Sequence, residues 1–223
     1  MTIKLVCPSN GGSVSLDSPT ATNSNADLTL TLPTSTGSAN QYLKNSGTAG
    51  QLEFAAGPSA GLFTAYAHAW VQRGSGDHAG AATAGSWGIV PFYGSDHKIE
   101  SGSISITLSV AADGTGANTI TIGAGTYLIK WTVPFFDTET SQSRLYDTTG
   151  SGSVLKYGTS VKSDTTDPST VLSHGFHRAT FSNSSTALRL EYDVSTSKTL
   201  SGLGVSNDSD VNIHSTIEFY KEG

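Results

Sequence analysis

Short runs of alternating apolar and polar residues dominate the chain after residue 60. In the clearest run, 103–110, the side chains of Ile104, Ile106, Leu108 and Val110 share one side of an extended chain. A period of two predicts a strand with one buried face. Comparable runs predict strands at 66–71, 119–122, 126–133, 144–146, 154–157, 176–181, 187–194 and 211–220, with Pro134 ending the run 126–133. Turn residues separate the runs at the spacing of an all-β sandwich, and no segment keeps a helical period.

The first 60 residues have a different pattern. Tyr42 and Phe54 are their only aromatic residues, so this part can bury little apolar surface by itself. Alternation over 26–33 predicts one strand, and 51–54 predicts a second, shorter one. A single small hairpin is not independently stable. We therefore expect residues 1–60 to form an extended β arm that needs other chains, and residues 61–223 to form the compact domain.

Composition narrows the possible functions. The chain has 33 Ser, 29 Thr and 25 Gly but only 13% charged residues, which disfavours helices and favours strands joined by tight turns. A net charge of −6 with 12 basic residues argues against nucleic-acid binding. The sequence contains no run of 18 apolar residues, so no membrane-spanning helix is predicted. The stretch from Met1 to Cys7 is too short for a signal-peptide core, so we expect folding in a cytoplasm. The single cysteine allows no internal disulfide.

One strand carries a resemblance to a known fold. The segment Gly123-Ala124-Gly125-Thr126-Tyr127-Leu128-Ile129-Lys130-Trp131 resembles a strand of the complement globular-head and tumour-necrosis-factor-like jelly rolls. The segments 142–147, 173–176 and 211–221 follow in a matching order, so that the resemblance covers roughly 62–223. It implies a jelly-roll sandwich that forms a homotrimer.

The arm resembles modules that recur in bacteriophage fibre proteins. The residues that carry this likeness are Leu28-Thr29-Leu30-Thr31-Leu32-Pro33 and the segment 37–47. In that family the arm attaches to the virion and the terminal jelly roll binds a ligand. The resemblance implies that residues 1–60 bind another virion protein and that the protein is located on the particle. Because the arm is short, the alternatives to a long tail fibre are a stubby tail knob and a fibre that stands on the capsid.

Several aromatic residues are candidates for the trimer interface. They are Tyr127, Phe181, Phe219 and Tyr220, which together with Tyr157 and Tyr192 exceed what one small sandwich core obviously requires. Packing the sheet edge of one subunit on the sheet face of the next would cover them, and would also cover exposed edges. The alternative is that some of them belong to the ordinary core.

Motifs for catalysis are weak. Gly57-Pro58-Ser59-Ala60-Gly61 matches a nucleophile elbow in letters but lacks the strand and the helix that an elbow requires, so it is read as a linker. The acidic residues are dispersed. His174 and His177 are three apart and should face opposite sides of a strand, which prevents a metal site shared by the two. The alternative is a metal site on a three-fold axis, built from one histidine of each chain. We therefore expect a protein that is not an enzyme.

Two segments are candidates for binding. The cluster 207–212 is rich in oxygen ligands, so Asp208 and Asp210 could hold calcium, although such clusters are more often plain turns. No other cofactor is expected. The Gly/Ala-rich loop 74–88 ends near Trp87, and we predict that Trp87, Tyr93, Asp137 and Glu139 contact a ligand. The alternative for Trp87 is that it anchors its loop to the core.

These observations predict a short trimeric phage fibre or knob. Its jelly-roll head would bind a host-surface glycan or outer-membrane component for adsorption. The net negative charge predicts a ligand that is not strongly anionic, unless a local patch reverses the charge. Two alternatives stay open: a capsid decoration or head-fibre protein with a mainly structural role, and a bacterial secreted lectin-like trimer.

Overall fold

The computed structural model describes residues 3–6, 13–16, 29–56, 62–110, 117–164, 166–207 and 211–223. The chain divides into two compact units, Met1–Ala60 and Gly61–Gly223. The first unit contains two antiparallel hairpins, one formed by β1 (Ile3–Val6) and β2 (Ser13–Leu16) and the other by β3 (Gln41–Asn45) and β4 (Leu52–Ala56). The strand expected over 26–33 is wrong for its described part. Thr31 makes a single bridge to Gln51, and Thr29 and Leu30 are not in a strand.

The second unit is built from strands alone in its described residues. They are β5 (Phe63–Gly74), β6 (Gly88–Ile89), β7 (Lys98–Ser101), β8 (Ile106–Ser109), β9 (Thr119–Ile122), β10 (Gly125–Phe136), β11 (Thr140–Asp147), β12 (Ser153–Lys162), β13 (Thr170–Phe181), β14 (Thr186–Val194) and β15 (Val211–Glu222).

These strands form two antiparallel sheets. Sheet 1 has the order β13-β10-β15-β5-β7, and sheet 2 has the order β12-β11-β14-β9-β8, with β6 beside β14. From β9 onward the chain passes to sheet 1, back to sheet 2 for β11 and β12, and then alternates between the sheets until β15. This is the strand order of a jelly-roll sandwich, so the predicted all-β jelly-roll fold is confirmed.

The core lies between the two sheets and follows the alternation of the sequence. On β10, Tyr127, Ile129, Trp131, Val133 and Phe135 are buried. Alternate residues of β5, β14 and β15 complete this apolar layer. Burial of one face of each strand is the main source of stability in such a sandwich.

Pro134 does not end its strand, contrary to the expectation from sequence. β10 continues to Phe136, and Pro134 lies opposite Leu172 of β13. On the other side, pairing of β10 with β15 stops at Thr132. Beyond Thr132, that side of β10 has no neighbouring strand to which a backbone N–H would donate. A strand tolerates proline at such a position, because proline has no N–H.

Candidate functional site

An open groove lies where the edge strands of the two sheets meet. β12 is the last strand of sheet 2, and β13 is the last strand of sheet 1. The groove between them, which we call the edge groove, encloses about 600 Å³, a volume typical of small-ligand sites. Its walls include Lys130, Lys156, Tyr157, His174, Phe176 and Glu218.

Hydrogen bonds between the sheets fix the base of the edge groove. Trp131 Nε1 donates to Ser143 Oγ at 3.0 Å, and Ser143 Oγ lies 2.7 Å from Ser173 Oγ. Ser173 Oγ in turn donates to the carbonyl of Thr159 at 2.7 Å. The hydroxyl of Thr159 accepts from the backbone N–H of His174 at 2.9 Å. Because these bonds join β10 and β13 to β11 and β12, the base is held by both sheets.

Two glycines allow the base to pack this closely. A Cβ at Gly175 would overlap the indole ring of Trp131, and a Cβ at Gly158 would overlap the hydroxyl of Ser143. Both glycines are needed for close approach rather than for a left-handed backbone. The depth of the groove therefore depends on the absence of two side chains.

Aromatic side chains stand at the opening of the groove. Tyr157 is 50% exposed and Phe176 is 56% exposed, which is unusual for rings on regular strands. Trp87 lies behind Tyr157, with 5.8 Å between the ring centroids. The guanidinium of Arg144 lies 4.0 Å from the centroid of Trp87 and is bonded to the Glu191 carboxylate at 2.6 Å. Tyr157 thus packs on Trp87, and Trp87 packs on the ion-paired guanidinium of Arg144.

The groove carries more positive than negative groups. Lys130 and Lys156 face one carboxylate, Glu218, which gives a local formal charge of +1 with histidine neutral. The Glu218 carboxylate accepts hydrogen bonds from the hydroxyls of Tyr220 at 3.1 Å and Tyr66 at 3.5 Å. Among the described residues, neither lysine forms an ion pair. The local charge is therefore opposite to that of the whole chain.

The two histidines of β13 face opposite sides of the strand, as its alternation requires. His174 is exposed, and its Nδ1 lies 3.1 Å from the hydroxyl of Thr132. His177 is half-buried. Burial lowers the pKa of His177, and the charge of Lys156 lowers it further. Both histidines therefore act separately.

A second feature covers the outward side of sheet 1. Half-buried rings follow β5 and β15 in a continuous stripe, which we call the aromatic face: Phe63, Tyr66, His68, Trp70 and Tyr220. Centroid distances are 5.4 Å for Phe63–Tyr220, 5.0 Å for Tyr66–Tyr220 and 5.2 Å for His68–Trp70. Ile99 on β7 lies beside this face and is 52% exposed. Together these side chains form one contiguous patch of partly exposed rings.

His68 lies at the centre of the aromatic face. Its Nε2 is buried without a hydrogen-bond partner. Burial lowers the pKa of His68, partly offset by the charge of Glu218. Burial and the Glu218 charge also raise the pKa of Tyr66 to about 12. Both side chains are thus held neutral near pH 7.

The predicted ligand contacts do not form one site. Trp87 stacks on Arg144 and adjoins the edge groove through Tyr157, so it serves as a loop anchor beside the groove. Tyr93 lies elsewhere, where its hydroxyl donates to the carbonyl of Ala79 at 3.1 Å and its ring packs under Arg73.

Asp137 and Glu139 occupy the turn between β10 and β11. Both have positive φ, 55° and 61°. Asp137 forms an ion pair with Lys198. The carboxylate of Glu139 accepts hydrogen bonds from the hydroxyls of Ser195 at 3.4 Å and Thr196 at 3.2 Å. These contacts within the chain give both carboxylates a role in the turn.

The predicted trimer-interface residues require a correction. Tyr127, Phe181 and Phe219 are buried in the core of the second unit, so their rings are not available to another subunit. The large core between the sheets absorbs them, as the alternative reading from sequence allowed. Tyr220 is different because it belongs to the aromatic face.

The calcium candidates Asp208 and Asp210 lie outside the described residues. Within the described ranges, no three His, Cys, Asp or Glu side chains converge in a group that could hold a metal ion. Within the same ranges, no helix has the length and apolarity needed to cross a membrane.

The sequence reasoning missed the residues of the edge groove. A signal was available in β13, where Phe176 shares its phase with His174 and Arg178, whereas Ser173 and Phe181 point to the core. An aromatic residue in the polar phase of a strand marks an exposed ring, which becomes a candidate for binding only where other exposed rings lie beside it. Lys130 and Lys156 gave no such signal, because exposed lysines are common.

Comparisons with known proteins give structural neighbours only. Neither a protein-family model nor a curated protein matches the chain. The structure is similar to Eiger TNF from S. frugiperda, at 12% identity and a TM-score of 0.40, over 73% of this chain and 94% of that chain. It is also similar to the globular domain of the zebrafish complement 1qA protein, at 11% identity and a TM-score of 0.37, over 71% of this chain and 96% of that one. The jelly-roll assignment itself rests on the strand order of the two sheets.

Proposed function

We propose that the protein is a virion protein without enzymatic activity, a short homotrimeric fibre or knob of a bacteriophage. Its jelly-roll unit binds a host-surface glycan during adsorption, and residues 1–60 attach it to another virion protein. The observation that carries this proposal is the aromatic face, a continuous stripe of half-buried rings on sheet 1.

A homotrimer would cover the apolar surface of that face. Rings such as Tyr66, Trp70 and Tyr220 are held in place within the chain but keep apolar surface in water. Covering apolar surface contributes about 25 cal/mol per Å². A jelly roll offers a flat face and open edges, so one copy can pack its edge on the face of the next. Such a head-to-tail contact closes into a ring when the rotation between copies allows it.

The role in adsorption is supported by two features. The segments 28–33 and 37–47 resemble phage fibre modules, and the edge groove has the size and the exposed aromatic rings of a glycan site. Three copies in a knob, and many knobs on a particle, bind a surface with far greater avidity than one copy. A weak affinity at each groove is therefore sufficient.

Cell binding tests the proposal. Fluorescently labelled full-length chain is incubated with a panel of bacterial strains and counted by flow cytometry, before and after periodate oxidation of surface glycans. We expect strong binding to at least one strain and loss of binding after oxidation. A Trp70→Lys variant, which places a charge in the aromatic face, should bind about a hundredfold more weakly because avidity is lost. A trimer that binds no strain would contradict adsorption and favour the structural role on the capsid.

A further inference from the structure

The edge groove is preformed. Its base is fixed by the bonds of Trp131 to Ser143 and of Ser173 to Thr159, at 3.0 and 2.7 Å. A site that is ordered before binding loses little conformational entropy when a ligand enters. A volume of about 600 Å³ accommodates one or two sugar rings.

Its walls combine two kinds of group. Tyr157 and Phe176 present exposed rings, and the nonpolar side of a sugar ring stacks well on such surfaces. Lys130 and Lys156 present ammonium groups that form no ion pair with a described residue. Unpaired cations beside a groove attract a ligand that carries negative charge.

A second copy of this chain is a poorer occupant. Burying the two lysines under another subunit requires carboxylates that can face them. The carboxylates along sheet 1 already have partners: Glu100 is bonded to Lys98, Glu222 to Arg178, and Glu218 to tyrosine hydroxyls. A contact with sheet 1 of a second copy would therefore leave these lysines without carboxylates, which favours an external anion.

From this combination we infer that the edge groove binds an acidic saccharide, with a carboxylate, sulfate or phosphate group between Lys130 and Lys156 and a sugar ring on Tyr157 and Phe176. This reverses the expectation from net charge of a ligand that is not strongly anionic. The inference rests on the proposed glycan-binding function and names its ligand class and residues.

Titration of the full-length protein with defined saccharides, followed by calorimetry and saturation-transfer NMR, tests this inference. The acidic probes are α-1,4-digalacturonate, α-2,8-disialic acid and a sulfated heparin disaccharide. α-1,4-Galactobiose is the matched neutral control for digalacturonate, because the two differ only in their carboxylates. We expect at least one acidic probe to bind, at least about tenfold more tightly than galactobiose, and to weaken as NaCl is raised.

Matched variants locate the site. Lys130→Gln and Lys156→Gln should each weaken the bound probe about threefold, and Tyr157→Ala about fivefold. Lys162→Gln lies on the same strand as Lys156 but outside the groove and should leave binding unchanged. Leu172→Ala is the corresponding control on β13.

Each contrary result is informative. If no acidic probe binds, or if galactobiose binds equally well, the inference is wrong. If the Lys156 variant changes the mass of the assembly, a second copy occupies the groove and the inference is also wrong. The proposed function fails separately, because it requires periodate-sensitive cell binding whatever the charge of the sugar.

Discussion

Gly175→Ala is the sharpest test of how the two sheets are joined at the edge groove. The new Cβ would overlap Cζ2 and Cε2 of Trp131 and lie only 2.5 Å from Cη2. An ordinary contact begins at 3.4 Å, so the ring must retreat by about 1 Å or more. It has little room to do so, because Trp131 is 2% exposed and its Nε1 is bonded to Ser143.

The expected cost combines two effects. Overpacking a core costs about 1–3 kcal/mol. Displacing the ring also weakens its hydrogen bond to Ser143, which contributes about 1 kcal/mol. We therefore expect Gly175→Ala to lower the free energy of unfolding by about 3 kcal/mol, which corresponds to roughly 10 °C in Tm for a unit of this size.

Urea unfolding at a fixed chain concentration measures this cost. Gly123→Ala is the matched control, because its nearest neighbour would be the Ser184 carbonyl at 3.8 Å, and it should change stability by less than about 0.5 kcal/mol. In the double variant Gly175→Ala/Trp131→Leu, the new methyl group partly fills the space left by the indole. The loss of unfolding free energy in the double variant should therefore be smaller than the sum of the losses in the two single variants. Equal stability of the Gly175→Ala and Gly123→Ala variants would refute the packing argument.

Three further predictions follow from other parts of the second unit. Arg144→Met should destabilise the fold by about 3 kcal/mol in urea, because it leaves the buried Glu191 without its partner, and adding Glu191→Met should restore most of the loss. Stability should fall as the pH drops below about 6.5, because burial lowers the pKa of His68 and the unfolded chain then binds more protons. A His68→Gln variant should flatten this pH dependence. Trp70→Lys should reduce the assembly to single chains without changing the far-ultraviolet circular dichroism.

Contrary outcomes are equally specific. Unchanged stability of Arg144→Met would mean that Glu191 reaches solvent. A pH profile that His68→Gln leaves unaltered would assign the effect to the two other histidines with a lowered pKa. These are His177, whose pKa is lowered by burial and the charge of Lys156, and His214, whose pKa is lowered by burial and the charges of His78 and Arg73. A Trp70→Lys variant that keeps the assembled mass would exclude the aromatic face from the interface.

The sequence predicts the sandwich well where burial is one-sided. The alternation of Ile129, Trp131 and Val133 places them correctly in the core, because a period of two has a direct structural meaning. The sequence predicts strand ends less well where contacts with other strands determine them. Pro134 stays within β10 because β15 has already separated from it, and no local pattern in the sequence contains that information.

The site was harder to predict than the fold. Trp87 was singled out for its residue type, yet its stack on Arg144 and Glu191 depends on strands distant in sequence. The edge groove arises where β12 and β13 end their sheets, so its residues come together only once the sheet order is known. Residue type therefore suggested candidates, and topology decided which of them share a surface.

Native mass spectrometry of the full-length chain tests the central claim most directly. One chain has a mass of 23.0 kDa, so three chains would give about 69 kDa. We expect the 69 kDa species to dominate at micromolar concentration near pH 7. A single species at 23.0 kDa under those conditions would contradict a homotrimer joined through the aromatic face.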